Sequence, residues 1–99
     1  MIPAFEVKRR YERYNEETNE EVCVERTKGF DVQSYQEAWD YYMKLRDHYD
    51  EVRGIDEGAY YDHVVGGRTY RSEYTEFDLP NDWWLVLEIN VNLKDDIKK

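Results

Sequence analysis

From Trp83 to Leu93 every second residue is apolar: Trp83, Leu85, Leu87, Ile89, Val91 and Leu93 share one parity without a fault. A period of two belongs to a β-strand with one covered face, and so long an unbroken run predicts a strand in the middle of a sheet. The other parity starts apolar at Trp84 and Val86 and turns polar at Glu88, Asn90 and Asn92. The second face of this strand is therefore expected to be dry at one end and wet at the other.

Near the start of the chain Phe5, Val7 and Tyr11 repeat the strand period, but Arg9 and Arg13 fall on the same parity. That predicts a strand with one end running past the core or carrying a bulge. The stretch "NEETNEE" supplies turn formers and charge, after which Val22 and Val24 resume on one face, so the two segments read as a β-hairpin.

Between Tyr35 and Val52 the period changes. Tyr35, Ala38, Tyr42, Leu45, Tyr49 and Val52 recur at spacings of three and four, the stripe of a helix with one buried side. Ser34 with Glu37 three residues on predicts a capping box, and Gly54 a left-handed stop, so the helix is expected from Ser34 to about Arg53. Opposite the core stripe lie Gln36, Glu37, Asp40, Lys44, Asp47 and Glu51. Trp39 and Met43 fall on one flank beside Arg46 and Asp50; Tyr41 and His48 fall on the other.

Past Gly54 a loop mixes with β-favouring runs around Gly66-Gly67, a pair suited to a two-residue hairpin turn, and "DLPND" marks a further turn. The chain thus reads as strand, strand, helix, a short strand or loop, strand, strand. This is an α+β fold, an antiparallel sheet of about four strands with one long helix across one face, in a single domain over residues 1–99. The last residues, "KDDIKK", read as a fraying tail.

Composition narrows the class. Ninety-nine residues suffice for one core and no more, and 40% hydrophobic with 16% aromatic residues supports folding rather than disorder. Charged residues make up 37% and the mean hydropathy is −1.02, so the outside is very polar. Twenty-three acids against fourteen bases give a formal charge of −9. Direct binding to nucleic acid is disfavoured by that charge, and a basic partner is favoured. One cysteine, Cys23, permits no internal disulfide. "MIPAFEVKRRYERY" has no apolar stretch of the signal-peptide kind, and nothing approaches the roughly 20 apolar residues of a membrane span. The expected location is cytoplasmic, with no membrane contact.

Candidate chemistry is sparse. The histidines are His48 and His63, without a second ligand at zinc-type spacing, and the serines are Ser34, spent on the cap, and Ser72 in a strand. Tyr61-Asp62-His63 suits the orientation of an imidazole, but a nucleophile and an oxyanion site are also needed for catalysis. Cys23 between valines is expected as a partly buried strand residue, not a reactive thiol. Neither "DDIKK" nor "EETNEE" has the alternating oxygen ligands and bend glycine of a calcium loop. No enzyme activity, no metal and no cofactor is expected.

What remains is surface. Between Asp31 and Asp62 nine acids face three bases. Tyr14, Tyr70, Tyr74 and Trp84 take the strand parity assigned to the face away from the core, and tyrosine and tryptophan are enriched at protein interfaces. The candidate partner-binding residues are Glu37, Trp39, Asp40, Met43, Asp47, Asp50, Glu51, Tyr70, Tyr74 and Trp84. The first functional expectation is a small acidic inhibitor of a basic nucleic-acid-binding protein, of the sort that bacteriophages deploy against host restriction or CRISPR machinery, occupying the groove meant for nucleic acid. The alternative is an immunity protein or antitoxin that neutralises a basic nuclease. Readings of another class are a small enzyme or an oligomeric subunit, with sheet faces or strand edges pairing in a homodimer.

Overall fold

The computed structural model describes residues 2–94. Strands β1 (Phe5–Asn15) and β2 (Glu20–Phe30) form the first hairpin, and α1 (Tyr35–Arg53) follows. Strands β3 (Glu57–Val65) and β4 (Arg68–Asp78) form the second hairpin, and a 3-10 turn at Pro80–Asp82 leads into β5 (Trp83–Val91). All pairings are antiparallel in the order β2-β1-β5-β4-β3, so the fold is α+β with one sheet and one long helix.

The sheet has five strands rather than about four, because the segment expected as a short strand or loop is the full strand β3. It lies at an edge, and Tyr60, Tyr61 and Val64 are all exposed. A strand with no fully covered face leaves no period of two in its sequence. The Gly66-Gly67 turn is as expected: both residues take positive φ, 58° and 77°, and Val65 pairs with Arg68.

β5 takes the central place that its alternation predicts. Leu85, Leu87 and Ile89 are completely buried and face α1 together with Phe5 and Val7 of β1 and Thr75 and Phe77 of β4. From the helix, Ala38 and Tyr42 close this core, with Tyr35, Leu45 and Tyr49 partly buried around them. Val52, expected on the same stripe, is 55% exposed, because α1 by its last turn has passed beyond the sheet centre.

Ser34 precedes the helix, but not as a capping box. Its hydroxyl donates to Asp31 Oδ1 at 2.8 Å and makes no bond to an early helical N–H. Asp31 Oδ1 also accepts from Gln33 N–H, so an aspartate-centred turn sets the entry to α1. Ser34→Ala is accordingly expected to cost about 0.5 kcal/mol or less in urea denaturation, against the ~1 kcal/mol usual for a lost cap. Gly54 ends the helix at φ 84°, its N–H donating to the carbonyls of Tyr49 and Asp50.

No bulge interrupts β1, whose register against β2 is continuous from Phe5–Phe30 to Asn15–Glu20. Arg9 and Arg13 stay on the helix side: Arg9 lies opposite Leu87 and near Tyr49 of α1, and Arg13 lies over the Trp83 ring at 6.0 Å. The second hairpin also runs on past its last pair with β5, Glu73 opposite Ile89. There β4 twists so that Tyr70 and Glu73, three residues apart, both reach the helix side. Tyr70 stacks near Phe5 and Tyr35, and Glu73 accepts from Tyr42. These extensions give a radius of gyration of 15.3 Å, against about 13 Å for a compact chain of this length. Residues 95–99, most of the expected tail, lie outside the described residues.

Candidate protein-binding surfaces

The period of α1 determines what its outer side carries. Glu37, Asp40, Asp47 and Glu51 are exposed, spread over about 21 Å of helix at 1.5 Å per residue. Gln36 donates to Asp40 at 3.0 Å, but among the described residues no base pairs with any of the four carboxylates. Asp50 is different: its Oδ1 accepts from Ile55 N–H at 3.2 Å and so braces the loop after the helix.

Trp39 and Met43 flank this ladder less openly than expected. The Trp39 ring meets Tyr42 edge-on at 5.4 Å, and its Nε1 is buried without a hydrogen-bond partner among the described residues. The Met43 sulfur accepts from Arg46 Nη1 at 3.5 Å. Arg46 in turn brings Nε to 3.5 Å from Glu73 Oε2, an ion pair at a distance and angle that leave the N–H without a true hydrogen bond. Behind them the Tyr42 hydroxyl donates to Glu73 at 2.9 Å and bonds Thr75 Oγ1. This flank is a joint between helix and sheet, with Trp39 and Met43 half-buried in it.

Tyr70 is a correction. It was expected on the exposed face with Tyr74 and Trp84, yet it is only 4% exposed and belongs to the core. The twist of β4 in the stretch before Glu73, which has no pair with β5, reverses the parity on which the expectation rested. Tyr74 and Trp84 do lie on the sheet face away from α1, both half-buried, and Tyr14 is 52% exposed near the first hairpin turn. The helix ladder and the Tyr74–Trp84 face are therefore on opposite sides of the molecule and cannot touch one flat partner surface together.

That open sheet face divides by charge. On its β1–β5 half Arg10 pairs with Glu12 and stands 3.8 Å from Glu88, and Lys8 stands 4.0 Å from Glu25. On its β3–β4 half Glu57 and Glu76 are direct cross-strand partners beside Asp56. Like charges in that position destabilise a sheet. Burial first, then Glu57 and Asp56, hold the Glu76 carboxyl above the usual carboxylate range. The Tyr74 hydroxyl is raised the same way, by burial and then by Glu57 and Glu76.

Two features went unread in the sequence. Arg9, Arg13, Arg26 and Lys28 all stand on the helix side of the first hairpin, at and beyond the margin of α1, with Lys28 5.7 Å from the Tyr41 ring of the helix and Arg9 the direct partner of Arg26. The signal was present: these residues share parity with Val7, Tyr11, Val22 and Val24. Beside them an open apolar groove of about 450 Å³ is lined by Tyr11, Val24, Leu79, Pro80, Asn81 and Trp83. Cys23, expected partly buried, is exposed on the other side of β2, because an edge strand outside the helix's reach buries neither face.

His63 Nε2 and Ser72 Oγ come within 2.8 Å across β3 and β4. Ser72 is 9% exposed, and the pair lies within the second hairpin. Asp62 points to the other side, where Arg71 holds its carboxyl below the usual range through a 2.9 Å hydrogen bond. Among the described residues no helix is long and apolar enough to cross a membrane. Comparison of the chain with protein-family models, with curated protein sequences and with solved structures returns no match.

Proposed function

We propose that this chain is a protein-binding inhibitor whose acidic helix face occupies the cationic groove of a nucleic-acid-binding partner, as an anti-restriction or anti-CRISPR protein would. The observation that carries the reading is the ladder of Glu37, Asp40, Asp47 and Glu51, exposed on one side of a packed helix, four carboxylates to the single base Lys44 on that stripe and none of them in ion-pair range of a base among the described residues. Exposed charges of this kind contribute mainly to association rate and orientation. A helix held rigidly on a sheet loses little conformational freedom when it enters a groove.

The test is DNA cleavage by purified restriction endonucleases and CRISPR effectors in the presence of the protein. Inhibition is expected, relieved by competing nucleic acid and weakened steeply by salt. Replacing Asp40, Asp47 and Glu51 together by lysine is expected to weaken inhibition on the order of tenfold to a hundredfold, with the far-ultraviolet dichroism of the helix unchanged. Full inhibition by that triple variant, or simultaneous binding of protein and nucleic acid to the effector, would sink the reading.

The open sheet face supports the immunity-protein alternative through a separate observation, the Glu57–Glu76 pair set against itself beside Tyr74 and Tyr61. Carboxylates that destabilise their own sheet are relieved when a basic partner covers them. Protection from a nuclease toxin that is lost on Glu57→Lys and Glu76→Lys, but kept in the helix triple variant, would favour this alternative.

A further inference from the structure

The two rims of the sheet differ in what they offer a further strand. β2 is eleven residues long, contains no proline, pairs with β1 without a break, and is exposed at every position except Phe30. Long uninterrupted edges recruit other strands unless they are blocked. β3, at the opposite rim, carries Glu57 and Asp62 with no lysine or arginine, so no register of β3 against itself sets a base opposite an acid.

We propose that β2 pairs with β2 of a second copy of this chain, antiparallel about a two-fold axis through Val24, joining two five-stranded sheets into one of ten with both helices on the same side. In this register Glu20 stands opposite Lys28 of the copy, Val22 opposite Arg26, Val24 opposite Val24, and Cys23 opposite Glu25, each twice except the pair on the axis. Neighbouring registers are worse. An axis at Cys23 sets Glu21 against Glu25, and an axis at Glu25 or Arg26 sets that side chain against its own copy.

The charges of the single chain support a second copy as occupant. Arg26 opposes Arg9, and neither Arg26 nor Lys28 has a carboxylate in ion-pair range among the described residues. The copy's Glu20 supplies the counter-charge for Lys28 and lies diagonal to Arg26. Val24, 38% exposed, meets its own copy at the axis with Val22, 45% exposed, diagonal to it, and Val24 extends the apolar groove of Tyr11 and Trp83. Nothing collides above the sheet. α1 packs over β1, β5 and β4 and hardly reaches β2, so the two helices stand about 20 Å or more apart at ~4.8 Å per strand. A helix with its side chains is only about 10–12 Å wide.

The full chain is tested by sedimentation equilibrium from micromolar to millimolar concentration, where a closed dimer of twice 12.1 kDa is expected. Glu20→Lys and Lys28→Glu are each expected to weaken association about tenfold, because each turns two attractive pairs into repulsive ones. The double variant restores the opposite charges in reversed order and should return to within about threefold of the parent. Both residues are exposed, so folding is unaffected, and circular dichroism verifies it. For the register, Val24→Cys in a Cys23→Ser background should form an intermolecular disulfide on mild oxidation, since residues facing each other across a pair lie within disulfide reach. The native Cys23 should not. A monomer at millimolar concentration overturns the proposal. So do open-ended polymers, charge swaps without effect, or cross-linking through Cys23 in place of Val24→Cys.

Discussion

Leu87→Ala lowers the unfolding free energy by about 2–5 kcal/mol, the range for truncating a large aliphatic that the surroundings cannot collapse onto. Leu87 is completely buried on the central strand, with Arg9 of β1 and Thr75 of β4 as its direct neighbours in the sheet and α1 above. The two strands that flank the vacated space are each pinned by pairing on their other side, β1 by β2 and β4 by β3. Urea denaturation measures the loss, with the slope unchanged if the unfolded chain is unaltered. Val52→Ala is the control: at 55% exposure it should cost well under 1 kcal/mol. A loss at Leu87 below about 0.5 kcal/mol would mean that β5 does not carry the core.

Tyr42→Ala is expected to cost about 3–5 kcal/mol, and Tyr42→Phe about 1–3 kcal/mol, which separates the ring from its hydroxyl. The ring is fully buried, while the hydroxyl bonds both Glu73 and Thr75. Phenylalanine keeps the packing and leaves the Thr75 hydroxyl and one carboxylate oxygen without that partner. Burial first, and then Glu73, push the Tyr42 hydroxyl well above the ordinary tyrosine value of 10.0. Tyr49, bonded to Tyr11 across the helix–sheet joint, is pushed up to about 12, again chiefly by burial. The sign follows from the direction. A tyrosine whose folded pKa is raised keeps its full contribution below pH 10, and loses it as the unfolded chain ionises and the folded one does not. Stability should fall from about pH 10 upward, by about 1.4 kcal/mol per unit for Tyr42 until its own hydroxyl titrates. Tyr42→Phe should flatten that alkaline limb, as thermal melts at rising pH would record. An unchanged limb would show that other tyrosines set it.

Local periods made much of this legible. The alternation of β5 predicts its central place, and the three-four spacing predicts the extent of α1, because one face of each is covered along most of its length. Where coverage ends, so does the signal. β3 is an edge strand exposed over most of both faces and reads as a short strand or loop. Val52 keeps the helical period after the sheet has turned away beneath it. Tyr70 shows a different failure: parity assigns faces only while a strand stays flat, and β4 twists in the stretch before Glu73, ahead of its pairing with β5. The helix ladder was readable as a set because four carboxylates on one helix share a direction whatever the helix packs against. The Tyr42–Glu73–Arg46 joint was not, since it joins residues 27 to 31 positions apart whose charges in the sequence look like ordinary surface. The basic rim of β1 and β2 was hidden by the net charge of −9, which says nothing about where the fourteen bases gather.

The place of β5 between β1 and β4 has a consequence for assembly during synthesis. Each hairpin needs only neighbours in the chain and can close as soon as it is made. The sheet cannot, because the strand that joins the two hairpins follows all the others, and its first pair with β1 links Phe5 to Val91. Until then the inner edges of β1 and β4 are open and the apolar side of α1 has no floor. Pairing across so much chain is slow, and the intermediate carries exposed strand edges prone to pairing with other chains. Chaperone demand and misassembly should therefore concentrate in the interval before Trp83–Val91 inserts, and substitutions in β5 should depress the yield of folded protein more than equally destabilising ones in either hairpin.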